Sequence, residues 1–211
     1  MKITILLLIG LSILSSCSKF LDQKPDAKLN TPSTNKDLVA ILDNNSFLNP
    51  ALLEIATDNY YLNEANYNGI TTVEFREAYS WSKEPTHNSF WNNSYQTIFY
   101  SNTVLDYIDR VKYELDGLNA EEIRGMALFH RAFAYYSLVQ VFCKYFNDNN
   151  RNSLGLVLKL NSDINENLQR SNLEDTYELI ITDLKSALAL LPDGKYAFPV
   201  RPNKAAAHAL L

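Results

Sequence analysis

Residues 119–143, NAEEIRGMALFHRAFAYYSLVQVFC, decide how this chain folds. Asn119 is a good helix-capping residue, and Glu122 stands three positions on, the spacing of a capping box. Ile123, Ala127, Phe129, Ala134, Tyr135, Leu138 and Phe142 then spread a wide apolar surface over one long helix. Gly125, Ala127, Ala132 and Ala134 keep that surface thin, so a neighbouring helix can come close, at some propensity cost for Gly125. Such a helix needs partners on more than one side.

The flanking sequence supplies them. From Asn88 to Val111, Trp91, Tyr95, Ile98, Asn102, Leu105 and Ile108 fall on one stripe, with Asn102 the polar exception that needs a partner if buried. Trp91 reads as core within that stripe. Downstream, Ser171-Asn172-Leu173-Glu174 predicts another capping box. Leu173, Tyr177, Ile180, Leu184, Ala187, Leu188 and Leu191 follow, until Pro192-Asp193-Gly194 stops the helix. Asn203 caps a last run from Lys204 to Leu211. Asn88 to Asn119 and Asn172 to Asn203 are each 31 residues apart, near the tetratricopeptide period of about 34. A lone helix pair cannot bury its inner face, so such units stack. Lys144–Ser171, rich in Asn, reads as an insertion between two pairs. Nearer the start, Thr34 with Asp37 caps a helix carrying Leu38, Ile41 and Leu42, which Asn44-Asn45 ends. Residues 46–86 lack helical periodicity over most of their length, apart from a short helix at Ala51–Ile55, and a long segment of this kind is often functional. The fold class is therefore all-α, with tetratricopeptide-like helical hairpins and long irregular loop insertions.

Composition narrows the function. The 211 residues are 46% apolar and 20% charged, too apolar for a disordered chain. The net charge of −5 gives no basic face for nucleic acid, and two Cys exclude a disulfide-stapled scaffold. His87, His130 and His208 lack metal-ligand spacing. No phosphate loop or nucleophile elbow occurs. Glu121-Glu122 is explained by the macrodipole of a first helical turn. An enzyme is not expected, nor a cofactor. Cys143 reads as a small buried hydrophobe. Arg124 and Arg131 read as partners of carboxylates such as Asp183.

The first residues set the compartment. After Met1-Lys2, Ile3 to Leu14 is mainly apolar, too short for the roughly 20 residues of a spanning helix and of signal-peptide length. Leu14-Ser15-Ser16-Cys17 resembles the lipobox of bacterial lipoproteins. The resemblance implies cleavage before Cys17 and lipidation of that residue. Three segments follow: a signal peptide at 1–16, a lipidated tether at 17–32, and a helical domain at 33–211.

Five motifs in order resemble the SusD/RagB family of outer-membrane nutrient-uptake lipoproteins. They are Cys17-Ser18-Lys19-Phe20-Leu21-Asp22; the stripe from Trp91 through Tyr95, Ile98 and Asn102 to Leu105; Glu122 to Tyr135 with Arg124-Gly125 and Arg131-Ala132; Arg170-Ser171 through Tyr177, Ile180 and Asp183-Leu184 to Leu191-Pro192; and Arg201-Pro202 through Lys204-Ala205-Ala206 to Leu211. The resemblance implies a tetratricopeptide-like scaffold anchored in the outer membrane of a Bacteroidetes-type bacterium, usually facing outside. It implies a SusC-like TonB-dependent transporter as partner, and capture of ligands, commonly glycans, without chemistry. The family is far longer, so the chain reads as the N-terminal portion of a longer lipoprotein, with Leu210 and Leu211 exposed at the end of an opening helix.

Sugars are held by aromatic faces with polar groups at their edges. The segment Asp58–Trp81 offers both kinds: the candidates are Asp58, Tyr60, Tyr61, Asn63, Tyr79 and Trp81, with Asn59, Asn66 and Tyr67 beside them. Core cover competes with ligand binding here. It is the stronger reading for Trp81, and the two readings are even for Tyr60 and Tyr61. A different class of function, a tetratricopeptide-type envelope scaffold that binds proteins without a small ligand, fits the same helices.

Overall fold

Eight helices and one two-stranded ladder make up the described part of a computed structural model, which covers residues 31–44, 51–83, 88–198 and 200–211. Cys17, the signal peptide and nearly all of the tether lie outside the described residues. The elements are α1 (Asn35–Leu42), α2 (Ala51–Ile55), α3 (Glu64–Gly69), α4 (Val73–Tyr79), α5 (Asn88–Tyr107), α6 (Ala120–Phe142), β1 (Leu154–Val157), β2 (Arg170–Asn172), α7 (Leu173–Leu190) and α8 (Lys204–Leu210). The helix α6 packs against both α5 and α7, and α7 against α8, so the two expected hairpins share one spine. Pro32–Leu211 form one compact unit.

Local chemistry starts α1, α6, α7 and α8. Thr34 and Asp37 form a reciprocal box: the Thr34 hydroxyl accepts from the Asp37 amide at 3.2 Å, and the Asp37 carboxylate accepts from the Thr34 amide at 3.0 Å. Asn119 and Glu122 do the same for α6. The box expected at Ser171 and Glu174 does not form. Ser171 lies in β2, where its hydroxyl pairs with that of Thr176, and Asn172 becomes the cap, accepting from the Asp175 amide at 2.7 Å. Strand pairing thus shifts the helix start by one residue. Asn203 caps α8 through the Ala206 amide, as its sequence position implies.

Three other expectations are corrected. The helix α5 ends at Tyr107, four residues before Val111. The described part of 46–86 is not mainly irregular, because α2, α3 and α4 occupy much of it, as helices too short for periodicity to register. At the far end Leu211 is exposed, but Leu210 packs against the core.

The insertion is tied down by residues that read only as stripe members. The Tyr95 hydroxyl donates to the Val157 carbonyl at 3.0 Å and accepts from its amide at 3.1 Å. Tyr135 makes the equivalent pair with Lys159. Asn102 donates to the carbonyls of Lys159 and Asn161, both at 3.0 Å. These side chains give hydrogen-bond partners to the backbone at the end of β1 and in the loop after it. Antiparallel β1 and β2 lie directly on the first turn of α7. A Cβ at Gly155 would meet the Asn172 carbonyl oxygen and the Thr176 hydroxyl, each at 2.3 Å, so only glycine fits there.

Two apolar clusters fill the interior. Leu38, Leu42, Val104, Ile108, Ile123, Met126, Ala187 and Leu191 form one, and Ile98, Tyr135, Leu138, Leu156, Leu173, Ile180 and Leu184 the other. On α5 and α6 a polar residue, Asn102 and Arg131, stands between the contributions to the two clusters, and on α7 Asp183 lies next to Leu184, the last contribution to the second. Arg131 grips both Asp183 oxygens, at 2.7 and 2.8 Å, and donates to the Asn102 amide oxygen at 2.8 Å. The expected Arg131–Asp183 pairing is therefore present, and Asn102 has its partner. Arg124 instead holds Asp109, at 2.8 Å, on the surface. Trp91 sits in the core stripe, edge-on to Phe142 at 4.9 Å. Cys143 is half-buried rather than fully enclosed; burial raises its thiol pKa, and the Arg170 guanidinium 3.8 Å away opposes that shift.

Candidate functional site

A third apolar cluster fixes the candidate segment. Leu52 of α2, Ala78 of α4 and Phe90 of α5 are buried together, with Phe75, Val141 and Phe142 against them. This mounts α2–α4 on the far end of α6. Behind α4, three tyrosines gather. The Tyr79 ring lies 5.8 Å from that of Tyr60 and 5.8 Å from that of Tyr67. The Tyr79 hydroxyl accepts from the Leu62 amide at 2.8 Å, and the Tyr60 hydroxyl donates to the Ile55 carbonyl at 3.0 Å. Tyr60 and Tyr79 therefore spend their polar ends on holding the loop. Asn63 caps α3 through the Asn66 amide at 2.9 Å. Asp58 and Tyr61 are exposed, Tyr61 at 84%.

Trp81 stands apart from this cluster, and it is not core cover: 73% of it is exposed. It follows the cap residue Ser80 at the end of α4, with a φ of 51°. The Trp81 amide donates to the Ala78 carbonyl and the Ser82 amide to that of Glu77. These are the two bonds of a Schellman motif, whose left-handed position normally takes glycine. An L-residue there costs about 1–2 kcal/mol, and such a conformation persists only where the surrounding structure holds it. The turn that strains the backbone also lifts the indole into solvent.

Beside Trp81 opens a cavity of about 390 Å³, lined by Leu52, Leu53, Ala56, Glu77, Ser82, Gln140 and Val141. Its volume is in the range of small-ligand sites. Apolar walls, an exposed indole rim, a carboxylate, a hydroxyl and an amide are the components a sugar requires. Of the six candidates, only Trp81 lines this cavity. Tyr60 and Tyr79 hold the loop between α2 and α3, and Asn63, Asp58 and Tyr61 are not brought into it. Glu77 and Gln140 were not among the candidates. Glu77 follows from its place one turn before Trp81 on α4; Gln140 lies far away in sequence and carries no local signal.

The described residues contain no group of three His, Cys, Asp or Glu side chains placed to hold a metal ion. No described helix is long and apolar enough to cross a membrane.

A model of the SusD-like family, described as starch-binding and associating with the outer membrane, matches residues 19–211. The chain belongs to the SusD-like family. No curated protein matches it. Among solved structures, a SusD superfamily protein from Bacteroides vulgatus is similar with a TM-score of 0.68 at 20% identity, over 85% of this chain and 42% of that one. A SusD superfamily protein from Bacteroides thetaiotaomicron gives 0.62 at 20%, over 84% and 41%. A laminarin-binding SusD-like protein gives 0.59 at 20%, over 82% and 37%. The chain thus spans about two-fifths of the length of these SusD-like structures, and its helical scaffold is theirs.

Proposed function

We propose that this chain is part of an outer-membrane lipoprotein that captures glycans and passes them to a SusC-like TonB-dependent transporter. One observation carries the binding half of this reading: Trp81 is held in a strained, left-handed turn that exposes its indole beside a cavity of ligand size. Membership of a family described as starch-binding, and likeness to a laminarin-binding protein, support a carbohydrate as the ligand. Sugar C–H faces would stack on the indole, and Glu77, Ser82 and Gln140 would meet hydroxyls. The lipobox at Cys17 supports the membrane anchor, since several acyl chains hold a protein stably where one does not.

Two experiments test it. In titrations with laminarin and starch, Trp81→Gly is expected to weaken binding by about tenfold, the worth of one aromatic contact. The same change should raise the melting temperature, because glycine accepts the left-handed turn without strain. Unchanged affinity in that variant would remove Trp81 from the site. Separately, Cys17→Ala should leave the precursor uncleaved and unlabelled by palmitate. Co-purification with a TonB-dependent barrel checks the partner, and normal acyl labelling of Cys17→Ala would contradict the anchor.

A further inference from the structure

We propose that a second cavity, lined by α6 and by the stretch that joins α7 to α8, is a binding site for a small planar aromatic acid that also carries a hydroxyl group. The cavity holds about 570 Å³, within the range of sites for small organic ligands. It shares no lining residue with the Trp81 cavity, and the inference stands apart from the glycan reading. Its walls set the shape of the ligand. Phe129 and Phe133 stand one turn apart on α6, their rings within 8° of parallel and 6.2 Å between centroids. Tyr196 adds a third ring, with the Arg201 guanidinium 5.9 Å from its centroid. Aromatic walls of this kind favour a flat aromatic body.

The polar groups set the two ends of the ligand. His130 lines the cavity and is 3% exposed, and its buried Nε2 has no hydrogen-bond partner among the described residues. A buried nitrogen left unpaired is costly until a partner meets it. Burial lowers the His130 pKa to about 4, so the ring is neutral at pH 7. A carboxylate taken that deep would find Arg201 already gripped by both oxygens of Asp43. A hydroxyl is neutral, and it donates or accepts to suit either tautomer of the ring. Lys195 differs in both respects: it is exposed, and no ion pair engages it among the described residues. No carboxylate lines the cavity, and Glu122, which acts on Tyr196, already accepts from the Asn119 amide. The anionic group of the ligand therefore belongs at Lys195 and its hydroxyl at His130.

The test titrates the full chain with three fluorescent probes. Hydroxynaphthoate carries a hydroxyl and a carboxylate at opposite ends of its fused rings; naphthoate lacks the hydroxyl, and naphthol lacks the carboxylate. Hydroxynaphthoate is expected to bind about five- to tenfold more tightly than naphthoate, the worth of one hydrogen bond. Its lead over naphthol should be about two- to fivefold, the worth of an exposed ion pair, and should vanish in high salt. Lys195→Met should abolish the lead over naphthol, and His130→Leu the lead over naphthoate, with far-UV circular dichroism checking that both variants fold. Lys195 is exposed, so its variant keeps the test decisive even where His130→Leu does not fold. Trp81→Ala should leave all three affinities unchanged. Equal binding of the three probes, or no binding of hydroxynaphthoate, would overturn the assignment. So would loss of hydroxynaphthoate binding in Trp81→Ala or its displacement by laminarin, since either result puts the probe in the other cavity.

Discussion

Arg131→Met should destabilise the domain by about 3–5 kcal/mol, the largest effect expected of any single substitution discussed. Arg131 is 7% exposed and Asp183 3%. Removing the guanidinium strands a buried carboxylate and also leaves the Asn102 amide oxygen without its 2.8 Å donor. Asn102 is the residue that holds the Lys159 and Asn161 carbonyls, so the damage spreads to the insertion. Methionine nearly matches the volume, which isolates the electrostatic loss from a packing loss. The double variant Arg131→Met with Asp183→Leu should recover most of the stability, because a buried pair replaced by apolar groups of similar size is often neutral. Urea unfolding of the two single variants and the double variant gives the coupling. A loss under about 1 kcal/mol in Arg131→Met would show that the triad does not knit α5, α6 and α7 together.

Acid should weaken the fold through His130, by about 3 kcal/mol between neutral pH and pH 4. This histidine is buried in α6, its Nε2 has no hydrogen-bond partner, and burial lowers its pKa to about 4, against which Asp43 acts weakly. The unfolded chain protonates near pH 6.5 and the folded chain resists until about pH 4. Full stability is therefore present above pH 6.5 and is lost as pH falls through that interval. Around His130 the charged groups include the Asp43 carboxylate, Arg201, which grips Asp43 at 2.6 and 2.9 Å, and Lys195, which lines the same cavity as His130. That pairing leaves Asp43 little freedom to receive an imidazolium. His130→Leu should flatten the pH dependence of the urea midpoint between pH 6.5 and 4.5. An equal slope in the variant and the parent chain would assign the acid sensitivity elsewhere.

Both effects depend on residues whose importance was unevenly visible. Arg131 and Asp183 could be matched from sequence because each interrupts an apolar stripe on its own helix, and a buried charge needs an opposite charge. His130 carried no such signal. It is followed by Arg131 and preceded by Phe129, and its depth is set by the loop that brings Arg201 to Asp43, far apart in the chain.

The candidate site shows the same division. Of the aromatic and amide-bearing residues between Asp58 and Trp81 that marked the candidate segment, Trp81 is the one that lines the cavity. Their division into roles was not legible, because Tyr60, Tyr67 and Tyr79 form a cluster only once α2, α3 and α4 fold back on one another. Trp81 is the sharpest case. Aromatic residues usually cover a core, and only a Schellman turn with φ of 51° reverses that expectation.

What the sequence determined by itself was the set of long helices, most of their caps and the paired-hairpin repeat, because capping and periodicity are local and act within a few residues. The tertiary structure alone decided three things: which stripe residues use their polar ends to hold the 154–161 backbone, the one-residue shift of the α7 cap, and the meeting of Trp81, Glu77 and Gln140 at one cavity. Each depends on contacts between segments far apart in sequence, and such contacts exist only when the helices pack and bury their apolar faces together.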